Sequence, residues 1–243
     1  MKQRIKYCII FLFFSTVVMV GVIYFNQPLS KGKMLVFGDS IVWQDGNAYM
    51  EGPESGEIAH GWQYYVCEQC GFEGYDNQGI IGSTITDELY EPSIYDIIME
   101  TDIKDYKLII ISVGTNDFKL GAILGSQDTC NDKNTFYGAM CLALDSIKER
   151  NKKCKIVLFT PLQRNKAGYD IYTCNTAGYM LSDYVEAIKE IGGLYDIPVC
   201  DMYYYSGITM DNLDIYTRDG LHPNQKGYEI IGRVAVDFIN ALY

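Results

Sequence analysis

The stretch Leu108-Ile-Ile-Ile-Ser-Val113, running straight into Gly114-Thr115-Asn116-Asp117, decides how this chain is read. Its first six residues are almost wholly apolar and rich in β-branched side chains. A strand with one wet face alternates apolar with polar residues; a continuous apolar run belongs to a strand covered on both faces. Covering both faces requires helices above and below a mostly parallel sheet. Such sheets hold their ligands beyond the carboxyl ends of the strands, which is where the polar tetrapeptide 114–117 would stand.

Reading outward, the same alternation recurs. Met34 to Phe37 is a short apolar run ending in Gly38-Asp39-Ser40. A helix is expected over 57–70 and a weaker strand around 74–77. Phe136, Met140, Leu144 and Ile147 follow at helical spacing. Lys155 to Phe159 reads as the next strand, stopped by Pro161. Leu181, Val185, Ile188 and Ile191 mark a helix with Gly192-Gly193 as its expected stop. Ile197 to Asp201 makes a fifth strand. Pro223 is expected to open a last helix that turns Tyr228, Ile231, Val234 and Phe238 inward. The Gly-containing loop from Leu120 to Asn134 is a candidate rim for the site.

The first 26 residues are a different material. Lys2, Arg4 and Lys6 precede Tyr7 to Phe25, which carries no charge. This run approaches the ~20 apolar residues that cross a bilayer core. It reads as an uncleaved membrane anchor with an exported body; a cleaved signal peptide is the rival, and a buried core helix the plainer alternative. Val22-Ile-Tyr-Phe-Asn26 is a poor cleavage site, and Cys8 has neighbours too large for a lipidated cysteine. Residues 27–33 read as a tether and 34–243 as one domain. The whole chain has a net charge of −11, and residues 27–243 without the basic flank stand at −14. No basic cluster in the sequence of the body offsets this, so nucleic acid is not an expected partner; the membrane enters only through the N-terminal segment.

Seven cysteines remain beyond Cys8, so at least one is unpaired if the others pair within the chain. Cys67-x-x-Cys70 has neither a second such pair nor a His at ligand spacing, so no metal is expected; no motif calls for a cofactor. Cys141 and Cys200 fall on apolar faces as small core residues. One or two disulfides are compatible with the sequence, which fixes no pairing.

Four short motifs stand at strand ends: Gly38-Asp39-Ser40, Asn77-Gln-Gly-Ile-Ile-Gly82-Ser-Thr, Gly114-Thr115-Asn116-Asp117 and Asp219-Gly220-Leu221-His222-Pro223. Singly, each has a plain structural reading: Ser40 as a helix cap, Asn116-Asp117 as a turn, Gly220 as a loop former. Together they supply the nucleophile, base, base-orienting acid and oxyanion donors that acyl transfer requires. The chain has two histidines, and His60, with no acid three residues before it, reads as a surface or rim residue.

With these four blocks in order over about residues 34–240, the chain resembles the SGNH (GDSL-type) hydrolases. The resemblance implies a flavodoxin-like, three-layer α/β/α sandwich with a five-stranded parallel sheet. It implies Ser40 as nucleophile, His222 as base and Asp219 as the acid that orients it. It implies an oxyanion hole from the Ser40 and Gly82 backbone N–H groups and the Asn116 amide. Gly79 competes with Gly82; Gly82 is preferred because the family's glycine commonly lies five residues after the block's Asn. Asp39 and Asp117 are expected to bond within the site's loops.

The implied activity is hydrolysis of carboxylic esters, with location favouring short acyl or O-acetyl carbohydrate esters. Trp43 is a candidate for the acyl pocket and Arg164 for a charged substrate group. Two other classes stay open: an extracellular glycan O-acetyltransferase with the same triad, and a non-catalytic glycan-binding module.

Overall fold

The computed structural model describes residues 30–243, so the expected anchor or signal segment at 1–26, with Cys8, and the first part of the tether lie outside the described residues. Five parallel strands form one sheet in the order β2-β1-β3-β4-β7. They are β1 (Lys33–Gly38), β2 (Gly74–Gly79), β3 (Tyr106–Ser112), β4 (Lys155–Phe159) and β7 (Val199–Cys200). Val36 lies opposite Asn77 on one side and Ile110 on the other, and Ile111 lies opposite Leu158. The α/β sandwich expected from the sequence is the architecture found.

Successive residues of a strand point to opposite faces. In β1 and β3 this sends Leu35, Phe37, Ile109 and Ile111 into one core cluster and Met34, Val36, Leu108 and Ile110 into another. The first cluster is completed by α5 (Phe136–Arg150) and α6 (Leu181–Tyr195), the second by α2 (Trp62–Cys70) and α9 (Gln225–Ala241). The continuous apolar run thus has its cause: all of Leu108 to Ile111 are fully buried, half against each helical layer. Gly232 of α9 is required by the close approach of α2, since a Cβ there would sit 2.6 Å from the Tyr65 ring. β2 was weak in sequence because it is a polar edge strand, Gly-Tyr-Asp-Asn-Gln-Gly.

The fifth strand, expected over 197–201, is only Val199–Cys200, and α7 (Met202–Tyr205) and α8 (Leu213–Tyr216) separate it from the Asp219–Pro223 motif, which therefore does not stand at a strand end. Three further boundaries differ from the sequence reading. The expected helix over 57–70 begins only at Trp62, because Ile58 bridges Ala48 in extended conformation and Gly61 caps the helix. Helix α6 runs through Gly192-Gly193 to Tyr195 and ends at Asp196, which takes the left-handed conformation at φ +52°. Gly192 is a packing glycine, as a Cβ would meet Val199 Cγ2 at 2.3 Å. Helix α9 starts at Gln225, capped by the Asn224 side chain accepting from the Gly227 N–H at 2.9 Å, so Pro223 precedes the helix and does not open it.

The reading of Cys141 as a plain core residue is also corrected. It is fully buried, and it forms a disulfide with Cys130. The other described cysteines, Cys67, Cys70, Cys154, Cys174 and Cys200, are free thiols.

Ile110→Ala removes a side chain buried at the centre of the sheet. Unfolding in urea is expected to show a loss of about 2–5 kcal/mol; a loss below 1 kcal/mol would mean that the helices re-close over the gap.

Candidate active site

The strand order reverses between β1 and β3, and the crevice beyond their carboxyl ends receives the first and third motifs. Gly38 ends β1 with no room for a side chain: a Cβ would stand 2.6 Å from the Ser112 carbonyl of β3. The chain then turns into a one-turn helix, α1 (Ser40–Trp43), capped by Asp39, whose Oδ1 accepts from the Ile41 N–H at 2.9 Å. Ser40 is therefore the first helical residue, and its own N–H has no acceptor within the helix. Burial pushes the Asp39 carboxyl up to about 6, with the hydrogen bond from Ile41 opposing it.

Ser40 Oγ lies 2.9 Å from His222 Nε2. His222 Nδ1 lies 2.7 Å from Asp219 Oδ2. Both members of this second pair sit on a loop closed on itself: Thr217 bridges Pro223, and the Arg218 N–H donates to the His222 carbonyl at 2.8 Å. Asp219 Oδ1 accepts from the His222 and Leu221 N–H groups at 2.8 and 3.1 Å. Gly220 is obligatory in this loop, having φ +80° and the Asn165 carbonyl 2.1 Å from where a Cβ would lie. The loop is registered against α1 by fully buried Tyr228, whose hydroxyl donates to the Ile41 carbonyl at 2.9 Å. Burial alone would raise the Asp219 carboxyl, but hydrogen bonds from His222 and Lys166 outweigh it and hold it well below the usual carboxylate range.

The third motif opens α4 (Thr115–Leu120) after Gly114, which has φ +115°. Asn116 Nδ2 donates to the Ser83 carbonyl at 3.0 Å, which uses one of its two amide hydrogens. Buried Asp117 accepts from Thr86 N and Oγ1 at 3.0 and 2.7 Å and from Ile85 N at 3.3 Å, pinning the loop of the second motif to α4. Within that loop the two candidate glycines differ. Gly79 closes β2 beneath Trp43, whose backbone nitrogen lies 2.2 Å from where a Cβ would be, while Gly82 turns the chain at φ +79°. Asn77 ties the end of β2 to α1 by donating to the Val42 carbonyl at 2.8 Å.

A cavity of about 180 Å³ opens over Ser40 and His222, and Trp43 and Ile81 are among its walls. Arg164 is not, which corrects its reading as a substrate-facing cation. It is fully buried, with Nη1 donating to the Thr115 carbonyl and Oγ1 at 3.0 and 2.8 Å and its guanidinium 5.9 Å from the Phe118 ring centroid. The 120–134 loop supplies no wall of this cavity, and His60 is exposed, stacked 4.3 Å from Tyr64. Hollows of about 510 and 680 Å³ lie elsewhere, lined around Lys155 and around Gly193, and contain none of the four motifs.

Sequence reasoning missed Lys166 and Arg218. Lys166 sits on a two-strand hairpin, β5 (Asn165–Lys166) and β6 (Tyr169–Asp170), and its Nζ pairs with Asp219 Oδ2 and lies 3.2 Å from His222 Nδ1. The hairpin turns at Ala167-Gly168, where both φ values are positive, without the Asn-Gly or Asp-Gly pair that marks such a turn in sequence. Among the described residues no group of three or more His, Cys, Asp or Glu converges as a metal site.

The profile of the GDSL-like lipase/acylhydrolase family matches residues 36–230. No curated protein matches the chain. Among solved structures, it is similar to a protein from Lactobacillus plantarum at 25% identity and a TM-score of 0.76, covering 89% of this chain and 100% of that one. A possible lipase from Chitinophaga pinensis aligns at 24% identity and a TM-score of 0.70, covering 86% and 98%. An aryl esterase from M. smegmatis aligns at 16% identity and 0.64, covering 87% and 100%. The last two likenesses speak to the fold.

Asp39 gives this region a pH signature. Its folded pKa lies above its unfolded value, so the carboxyl costs stability as pH rises from about 4 through 6 and the full cost persists above. Asp39→Asn keeps the cap acceptor and removes that cost. Relative to wild type, the variant is expected to gain about 2–3 kcal/mol between pH 4 and pH 7 in denaturant titrations; a pH-independent difference would contradict this.

Proposed function

Because the chain belongs to the GDSL-like lipase/acylhydrolase family, we propose that it is a serine esterase in which Ser40, His222 and Asp219 form the catalytic triad. The observation that carries this reading is the continuous chain Ser40 Oγ–His222 Nε2–His222 Nδ1–Asp219 Oδ2, with contacts of 2.9 and 2.7 Å, at the floor of a cavity. Asp219, an acceptor held ionised, selects the tautomer with its proton on Nδ1. That leaves Nε2 free to take the Ser40 proton as Oγ attacks the ester carbonyl. The oxyanion meets the Ser40 and Gly82 N–H groups and the second amide hydrogen of Asn116. His222 then returns the proton to the departing alkoxide, and water repeats the sequence on the acyl-enzyme.

The acyl group is short in this reading, because the cavity over Ser40, about 180 Å³, has Trp43, Met50 and Ile81 as its apolar walls and polar or charged side chains for the rest. Short acyl esters and O-acetylated carbohydrates fit; a long chain would lie out along exposed Met50 and Ile81. We also infer that the domain is exported, held at the membrane by residues 7–25 or released from it by cleavage. The Cys130–Cys141 disulfide is in keeping with an oxidising compartment.

Turnover of 4-nitrophenyl acetate tests the triad. Ser40→Ala is expected to abolish it, Asn116→Ala to lower kcat by about 10²–10³, and Asp219→Asn to lower it by up to about 10⁴ without loss of fold. Equal rates in wild type and Ser40→Ala would sink the proposal.

A further inference from the structure

The Ser40 cavity holds a cation that the triad does not use. Arg218 lines it beside His222 and Glu51. Arg218 Nη2 donates to Gln44 Oε1 at 3.0 Å, and the guanidinium lies 4.9 Å from the Tyr49 ring centroid. Among the described residues no carboxylate lies within ion-pairing distance of it, although the chain has 31 Asp and Glu. Its Nε is buried without a hydrogen-bond partner, and no hydrogen bond to the described residues engages its Nη1.

The side chain is nevertheless held. Gln44 is 3% exposed, and its Nε2 donates to the Asn47 and Ala48 carbonyls at 3.1 and 3.2 Å, which turns Oε1 toward Arg218. Tyr49 is 2% exposed and supplies a fixed ring under the guanidinium. One face and the Nη2 donor of the group are thus engaged by protein, while Nη1 has no partner among the described residues and the side chain lines the cavity. A donor fixed in advance loses little entropy on receiving an anion. The other cation in the wall, Lys166, is already committed to Asp219. Glu51 and Asp219 add negative charge nearby, so the site suits one negative charge better than two.

Resting on the serine-esterase reading of this site, we propose that Arg218 selects esters carrying one carboxylate a few bonds from the scissile carbonyl, such as O-acylated sugar acids or hydroxy acids. The planar fork of a guanidinium matches a carboxylate with two parallel hydrogen bonds, which a lysine cannot reproduce.

Matched ester pairs test this through kcat/KM. One pair is mono-4-nitrophenyl succinate against 4-nitrophenyl butyrate, which places the carboxylate on the acyl side. The other is 4-acetoxybenzoate against its methyl ester, which places it on the alcohol side; 4-acetoxyphenyl phosphate serves as the dianion. In at least one pair the wild type is expected to favour the carboxylate about 10–100-fold. That preference should collapse in Arg218→Gln, survive in part in Arg218→Lys, and shrink with added salt. No carboxylate preference in the wild type, or an equal loss on both members of a pair in Arg218→Gln, would overturn the proposal, the latter marking a packing role. Preference for the phosphate over the carboxylate would overturn the assignment of a single charge. If circular dichroism shows Arg218→Gln unfolded, the wild-type ratio and its salt dependence decide. Turnover of neutral esters that depends on Ser40, without carboxylate preference, would remove this inference alone; turnover unaffected by Ser40→Ala would remove the esterase reading as well.

Discussion

The structure depends on β1 and β3 lying side by side with both faces buried. Their eight central side chains divide evenly between two helical layers. This leaves the carboxyl ends of the two strands as the place where the backbone must leave the sheet in two directions at once. Ser40 follows one of those exits and Asn116 the other. The close approach of the strands also dictates Gly38, because the Ser112 carbonyl occupies the space a side chain would need. The crevice is a by-product of the sheet's connectivity, and the motifs occupy it.

Around that crevice, three carboxylates, two of them buried, act as organisers of backbone. Asp39 caps α1, Asp117 collects donors from Ile85 and Thr86, and Asp219 collects them from its own loop. Each converts flexible turn backbone into a fixed position for a neighbouring side chain. Burial penalises the charged form of the first two. At Asp219 the donors more than offset that penalty, so the carboxyl stays ionised beside His222. The same residue type therefore serves two ends, set by how deeply it is buried and whether charged partners such as Lys166 stand beside it.

What could be read in the sequence follows from the range of the physics involved. The strand run 108–113 and the helical spacing of 136–147 were legible because burial is written as a local period. The four motifs were legible because each is short and chemically unusual. Arg164 was misjudged because proximity to a strand end does not say which way a side chain turns, and this one turns inward to Thr115. Lys166 and Arg218 escaped because their meaning comes from residues that are remote in sequence, as with Gln44, 174 positions from Arg218. Gly192 was taken as a stop because its tight contact with Val199 is tertiary.

Ser40 and His222, the proposed nucleophile and base, are 182 residues apart. Most of what orients His222 (Asp219, the closed loop, and the Tyr228 brace from α9) is made after nearly all of the rest of the domain, only the Asn165–Lys166 hairpin contacts coming from earlier in the chain. A ribosome emits the Ser40 end first, and domains begin to organise in that order. A nascent chain can therefore present Ser40 long before His222 exists. The Ser40–His222 contact is assembled only when the domain is almost complete, so on the proposed reading any hydrolytic capability waits for the surrounding fold.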